Sequence, residues 1–272
     1  MAMESAAGEM PRVAILTRPE GRNEALAGRL AGAGWTPCIL PALEIQALPA
    51  AAGGPPRPSD YDMVVFVSGN AARLYLDQWA QADGPASWPE GVIAATVGPA
   101  SAQALRASAC FGVNTTVLHP PESAPSHDSE ALWDLLQGLP GLPARVLLVR
   151  GTQGRDWLGD KLEAHGAAVT RYAAYLRRPA NWDIAQVASL RRWAAAGVPI
   201  TWLITSGEGA DAVRAGLEAA GLADWWGRCG FVLTHPSLER RLPHACHEGG
   251  ARPMVKICLP NDESIFQAFV AA

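Results

Sequence analysis

The chain repeats itself. Residues 12–34, RVAILTRPEGRNEALAGRLAGAG, align with residues 145–167, RVLLVRGTQGRDWLGDKLEAHGA, and each copy reads as an apolar strand, a turn ending Gly-Arg and a helix that closes at glycine. A second motif, VVFVSGNAARLYL from Val64, returns as WLITSGEGADAVRAGL from Trp202, with Ser68 and Ser206 at equivalent places. A third, VIAATVGPASAQALRASA from Val92, has a weaker echo in GFVLTHPSLERRLPHA from Gly230. The motifs run one, two, three and then one, two, three, so the fold must accommodate two similar bodies.

Each motif is a short, wholly apolar run followed by a helical pattern, the signature of a parallel sheet covered on both faces. The chain is therefore α/β. In such sheets the loops after the strands' C-terminal ends meet helix N-termini, and ligands bind there. Between the first motifs, WTPCILPALEIQALPAAAGGPPRPSDYD is extended and then rich in Gly and Pro, and VTRYAAYLRRPANWD from Val169 is its counterpart. Two extended stretches at equivalent places predict a chain that leaves one domain, builds a second and returns. The expected bounds are 1–40 with 180–272 for the first domain, 47–173 for the second, and connectors at 41–46 and 174–179.

Composition narrows the function. A net charge of −4 and a pI near 5.9 argue against a nucleic-acid surface. No apolar run approaches the roughly 18 to 20 residues of a membrane span. The opening MAMESAAGEM is acidic and leads into no signal-type stretch, so it reads as a frayed tail on a cytoplasmic protein. Cys38, Cys110, Cys229, Cys246 and Cys258 are scattered, as suits buried thiols in a reducing compartment rather than a disulfide framework or metal site.

Positive charge is local. Arg12, Arg18, Arg22 and Arg29 gather near the start, and Arg145, Arg150 and Arg155 gather mid-chain. The turns add backbone donors, because the first N–H groups of a helix lack internal partners and its dipole favours anions. Ser68-Gly69-Asn70, Gly98-Pro99-Ala100-Ser101, Gly151-Thr152-Gln153-Gly154, Ser206-Gly207 and His235-Pro236-Ser237 each precede an expected helix. Ser68, Ser101, Ser206 and Asp128 also fit plain N-caps.

Several signals lead elsewhere and are weaker. Gly207-Glu208-Gly209-Ala210-Asp211-Ala212 fits a dinucleotide fingerprint, but its repeat partner lacks the second glycine. His244 and His247 read as a helix-surface pair rather than a metal site, and His165 as a cation at a helix C-terminus. The ten tryptophans read as core and the HPPESAPSHDSE stretch as a loop over the site.

With these residues laid out, the sequence resembles the uroporphyrinogen-III synthase family over nearly its whole length. Thr17-Arg18-Pro19 with Asn23 and the Gly34 turn, Pro41-Ala42-Leu43-Glu44-Ile45, Phe66-Val67-Ser68-Gly69-Asn70-Ala71 and Val97-Gly98-Pro99-Ala100-Ser101-Ala102 follow the family pattern in order. Asp128-Ser129-Glu130-Ala131-Leu132, Leu148-Val149-Arg150-Gly151 with Gly154-Arg155, Tyr175 before Arg177-Arg178, Thr205-Ser206 and His235-Pro236 complete it. The departure is Ser237-Leu238-Glu239-Arg240-Arg241, where the family has a smoother helix start.

The resemblance implies two similar flavodoxin-like, three-layer domains joined by a two-stranded connector, with the site between them. It implies a cofactor-free monomer that closes hydroxymethylbilane, a linear tetrapyrrole with eight carboxylates, into uroporphyrinogen III while inverting the last pyrrole through a spiro intermediate. The enzyme that forms the bilane is then a transient partner. Tyr175 matches the family's connector tyrosine and is the expected proton donor for the departing hydroxyl, with Tyr172 as a rival. The expected substrate contacts are Thr17, Arg18, Ser68, Gly69, Asn70, Gly98, Pro99 and Ser101, together with Arg150, Gly151, Gly154, Arg155, Thr205, Ser206, His235 and Ser237. A non-catalytic module that senses a small anion on the same scaffold is the competing reading, since a fold alone does not fix a function.

Overall fold

The computed structural model describes residues 11–84, 87–112, 115–124, 126–243 and 253–272. The opening tail and the His244/His247 pair lie outside the described residues. In chain order the elements begin β1 (Arg12–Leu16), α1 (Glu24–Gly32), β2 (Trp35–Ile39), β3 (Leu43–Ala47), β4 (Met63–Phe66), α2 (Gly69–Asp83), β5 (Ile93–Thr96) and α3 (Pro99–Arg106). They continue β6 (Val117–Leu118), α4 (Ser129–Leu136), β7 (Arg145–Gly151), α5 (Trp157–Ala164), β8 (Ala168–Pro179), α6 (Ile184–Ala196) and β9 (Ile200–Ile204). The last are α7 (Gly207–Ala219), α8 (Ala223–Trp226), β10 (Gly230–Leu233), β11 (Val255–Ile257) and α9 (Asp262–Val270). No helix among them is long and apolar enough to cross a membrane.

The chain divides into two compact units, Met1–Glu44 with Arg178–Ala272, and Ile45–Arg177. The first holds a five-stranded sheet in the order β2-β1-β9-β10-β11, with every pairing parallel. Numbered within the unit this is 2-1-3-4-5, the flavodoxin-like order. The second holds the order β8-β7-β4-β5-β6, with β3 added outside β8. Leu48 N–H donates to Ala174 O and Ala180 N–H to Ala42 O, so partner numbers run in opposite directions and β3 and β8 form an antiparallel ribbon.

Placed in register, the sheets coincide: β1 with β7, β9 with β4, β10 with β5, β11 with β6 and β2 with β8. The tandem repeat in sequence is therefore exchanged in space. Strands β1 and β2, from the first copy, complete a sheet with β9 to β11 of the second, and β4 to β6 of the first copy pair with β7 and β8 of the second. In both sheets the strand order reverses at the seam between copies, β1 beside β9 and β4 beside β7, which is where such folds bind ligands.

Alternation sends each strand's residues into two cores. Val13 and Ile15 pack with Val213 and Leu217 of α7, while Ala14 and Leu16 pack with Leu26 and Leu30 of α1 and with Ile265 and Phe269 of α9. In the other unit Val64 and Phe66 face Tyr75 and Leu105, and Met63 and Val65 face Leu132 and Leu162. Each unit thus has three layers. Every large apolar side chain so buried contributes about 1.5–3 kcal/mol, which offsets the chain entropy lost in forming the layers. Tryptophans serve as core in both units: Trp202 meets Trp225 and Trp226 edge-on, and Trp88 stacks on Phe111.

One expected helix is missing. After β10 the chain forms a 3-10 helix over Pro236–Arg241 instead of an α-helix of ten or more residues. Pro243 explains it, because the residue before a proline is driven out of the helical region, and Leu242 is extended with ψ 154°.

Candidate functional site

In the unit Ile45–Arg177, the turn after β4 ends at Ser68, whose extended backbone and side chain cap α2 by accepting Ala71 N–H at 3.1 Å. Gly69 and Asn70 follow, ahead of the first intrahelical bond, Ala72 N–H to Ser68 O. The second feature of Ser68 is its neighbour: its Oγ lies 3.2 Å from the hydroxyl of Tyr175. Tyr175 stands near the end of β8 and is only 7% exposed.

Gly151 makes room for that ring. A Cβ there would fall 2.8 Å from Tyr175 Cε2, so any side chain would displace the phenol. A bulge between Arg150 and Gly151 puts Gly151 opposite Tyr175, and Thr152 N–H donates to Tyr175 O at 2.9 Å. Ser68, Gly151 and Tyr175 thus converge at the β4/β7 seam. Tyr172 does not join them. It donates to Gln78 Oε1 at 2.7 Å beside Tyr75, well along α2, and burial raises its pKa.

The turn after β5 is built differently from the expected cap. Gly98 is the N-cap of α3 and Pro99 opens the helix, which places Ser101 at the third helical position. The N-cap reading of Ser101 is corrected accordingly. Thr96, fully buried, donates to Gly98 O at 3.0 Å, and a Cβ on Gly98 would lie 2.9 Å from His127 Cβ, so His127 packs onto this turn. Asp128 caps α4 through Ala131 N–H at 2.9 Å.

The arginines named for carboxylate binding have protein partners. Arg150 donates to Asp156 Oδ1 at 2.7 Å and to Gly154 O at 2.6 Å. Arg155 makes a bidentate pair with Glu130 of α4, at 2.7 and 3.1 Å. In the other unit Arg18 donates to Asp262 Oδ1 at 2.6 Å. Arg18 keeps one further donor, since its Nη2 is buried with no hydrogen-bond partner among the described residues.

That unit repeats the pattern without the phenol. Thr17 is buried and its hydroxyl donates to Leu203 O across the β1/β9 seam. Ser206 caps α7 through Gly209 N–H at 3.0 Å, as Ser68 caps α2. Thr234 donates to Thr205 O at 3.3 Å. Ala42 follows β2, its N–H donating to Thr17 O, and the register of the repeat makes it the counterpart of Tyr175 in β8. His235 and Ser237 are exposed and bonded to each other, with Nδ1 2.7 Å from the serine Oγ and accepting its N–H at 3.1 Å.

Sequence reasoning passed over Asp156 and Asp262, the partners of two turn arginines, and the strand-end pair Thr96 and Thr234. The threonines carried a legible signal: both close the strand of the third motif, VIAAT and GFVLT. Asp156 occupies the repeat position of Asn23, which the sequence had singled out.

The same arrangement has known relatives. A family model described as Uroporphyrinogen-III synthase HemD matches residues 24–245. The chain is similar to a uroporphyrinogen-III synthase of Salmonella typhimurium (strain LT2), 31% identical over 241 residues, covering 87% of this chain and 91% of the relative. It is equally similar to the uroporphyrinogen-III synthase of Escherichia coli K12, 31% identical over 199 residues, covering 71% and 75%. Among solved structures, the synthetase from Helicobacter pylori 26695 shares the fold with a TM-score of 0.56 at 14% identity, covering 97% of this chain and 99% of that one. A mutant synthase from the extremely thermophilic bacterium Thermus thermophilus shares it with a TM-score of 0.51 at 17% identity, covering 95% and 97%.

Proposed function

The chain belongs to the uroporphyrinogen-III synthase family, and from that premise we propose how it works: it closes hydroxymethylbilane to uroporphyrinogen III, with Tyr175 as the group that protonates the departing hydroxyl. The observation that supports this role is the Tyr175 hydroxyl set 3.2 Å from the capping Ser68 at the β4/β7 seam.

The step begins with cleavage of the hydroxymethyl C–O bond. The phenolic proton passes to the oxygen, water leaves, and the pyrrole nitrogen supplies the electrons that make the terminal ring an azafulvene. Ser68 can donate its hydroxyl hydrogen to the phenolic oxygen as the phenol gives up its own. The far terminal pyrrole then attacks through the carbon that already bears its bridge, giving the spiro intermediate. That bridge bond breaks, re-forms at the ring's other α-carbon, and the hydrogen displaced there returns to the base. One molecule of water is lost overall, and no electron acceptor is required.

The protein's larger task is geometric, since the bilane left alone is expected to close without inversion. In this reading the amide-rich turns of the unit Ile45–Arg177, at Gly69-Asn70, Ala100-Ser101 and Gly151–Gly154, take carboxylates of the bilane. It calls for a monomer acting in the cytoplasm without a cofactor, receiving the bilane from the enzyme that makes it. Incubation with hydroxymethylbilane and separation of the type I and type III isomers tests it. Type III in excess over the uncatalysed mixture is expected; type I alone would show that the chain does not catalyse the inverting closure.

A further inference from the structure

The arginine of the β7–α5 turn is committed to its own backbone. Arg150 Nη1 donates to Asp156 Oδ1 at 2.7 Å, Nη2 to Gly154 O at 2.6 Å and Nε to Gly151 O at 3.3 Å, and the side chain is 13% exposed. The other oxygen of Asp156 is held by Arg171 Nε, and the Arg171 guanidinium grips both oxygens of Glu163 at 2.7 and 2.9 Å. Charge-assisted bonds therefore run from the turn carbonyls through Arg150, Asp156 and Arg171 to the last turn of α5. Gly159 in α5 leaves room for them: a Cβ there would lie 2.8 Å from Asp156 Oδ1 and 2.9 Å from Arg171 Nη2.

The repeat supplies an independent observation. Asp156 is the N-cap residue of α5 yet makes no cap bond, and Asn23, its counterpart, is the N-cap residue of α1 and makes none either. Asn23 instead accepts from Arg18 Nε at 3.5 Å and donates to Arg18 O at 2.8 Å. Both copies thus forgo a cap worth about 1 kcal/mol and use the side chain to hold an arginine-bearing turn. Each turn also passes through a glycine with positive φ, Gly21 at 77° and Gly154 at 133°.

Only one of these turns supports a phenol. We infer that Arg150 and Asp156 are positioning residues for Tyr175: by closing the turn they fix Gly151, the seat of the ring, and through it the approach of the hydroxyl to Ser68. Arg150 acts here as a three-point clamp on protein acceptors and not as a ligand for substrate carboxylates. The inference rests on the role proposed above for Tyr175.

The test uses the full chain with hydroxymethylbilane, scoring kcat, KM, the type III to type I ratio and the melting temperature. Asp156→Asn keeps the shape and loses the charge; Arg150→Lys keeps the charge and loses the fork, since one ammonium cannot span three acceptors. Both are expected to lower kcat about tenfold with KM within about twofold. Placed on Tyr175→Phe, Asp156→Asn is expected to add little further loss, because both changes act on one group. A raised KM with unchanged kcat in Arg150→Gln, restored in Arg150→Lys, would make Arg150 a carboxylate ligand and overturn the inference. So would losses that multiply in the double variant. Failure of the wild-type chain to form the type III ring would sink the proposed function instead, a separate and distinguishable outcome.

Discussion

The hydroxyl of Tyr175 stands 3.2 Å from Oγ of Ser68, and Ser68 Oγ in turn accepts Ala71 N–H at 3.1 Å. The phenol is therefore tied to the start of α2 by one hydrogen bond. Tyr175→Phe removes that hydroxyl and leaves the ring on Gly151, so the fold should persist, with a change in stability of about 1 kcal/mol or less. Turnover is expected to fall about a hundredfold, within the range for loss of a general acid. Near-normal type III formation by this variant would remove Tyr175 from the chemistry.

Gly151→Ala attacks the same arrangement from below. Its Cβ would lie 2.8 Å from Tyr175 Cε2 and 2.9 Å from Cζ, so the ring must move. Overpacking of this kind costs roughly 1–3 kcal/mol. Because the displaced group is the proposed acid, kcat should drop by more than the change in melting temperature explains; kinetics and calorimetry on one preparation decide it.

Acid sensitivity should concentrate in exposed carboxylate–arginine contacts. The hydrogen bond from Arg171 holds Glu163 below its ordinary value of 4.5, and that from Arg145 holds Asp62 below 3.8. A carboxylate depressed in the fold stabilises it fully above the ordinary value, and this contribution disappears as pH falls through the depressed one. Urea midpoints should therefore be flat from pH 7 to about 5 and decline below about 4.5. Glu163→Gln should shallow the decline, and 1 M salt should do the same, since exposed pairs are screened. An unchanged slope in both cases would count against this source.

Thiol reactivity provides a further check on packing. Burial pushes Cys229 up to about 12, with Trp225 O accepting from its Sγ. At pH 8 the thiolate fraction is then on the order of one in ten thousand. Iodoacetamide should label the half-buried Cys110 and Cys258 first and reach Cys229 only on unfolding, as peptide mapping by mass spectrometry would record. Early labelling of Cys229 would mean an open core.

Strand and helix alternation was legible because β1, β4, β7 and β9 are unbroken apolar runs followed by helical periodicity, and repetition doubled the signal. Partner choice was not. Arg150 and Arg155 read as charge awaiting an anion, but nothing local shows that Asp156 and Glu130 answer them, the latter 25 residues away. Ser101 looked like a cap because it resembles Ser68, although Pro99 marks the helix start three residues after a buried threonine. The 3-10 helix at Pro236–Arg241 escaped because its opening His-Pro-Ser carries the same cue as a longer helix, and only Pro243 limits its length.

The exchange of strands between sequence copies sets an order of assembly. The unit Ile45–Arg177 is one uninterrupted stretch and can close as soon as it is made. Strand β1 is synthesised well before its neighbour β9, which begins at Ile200. At typical elongation rates β1, α1 and β2 wait on the order of ten to forty seconds with their apolar faces uncovered. The stretch from β1 to β2 is thus the one most in need of a chaperone, although in the finished molecule β1 is among the most deeply buried strands.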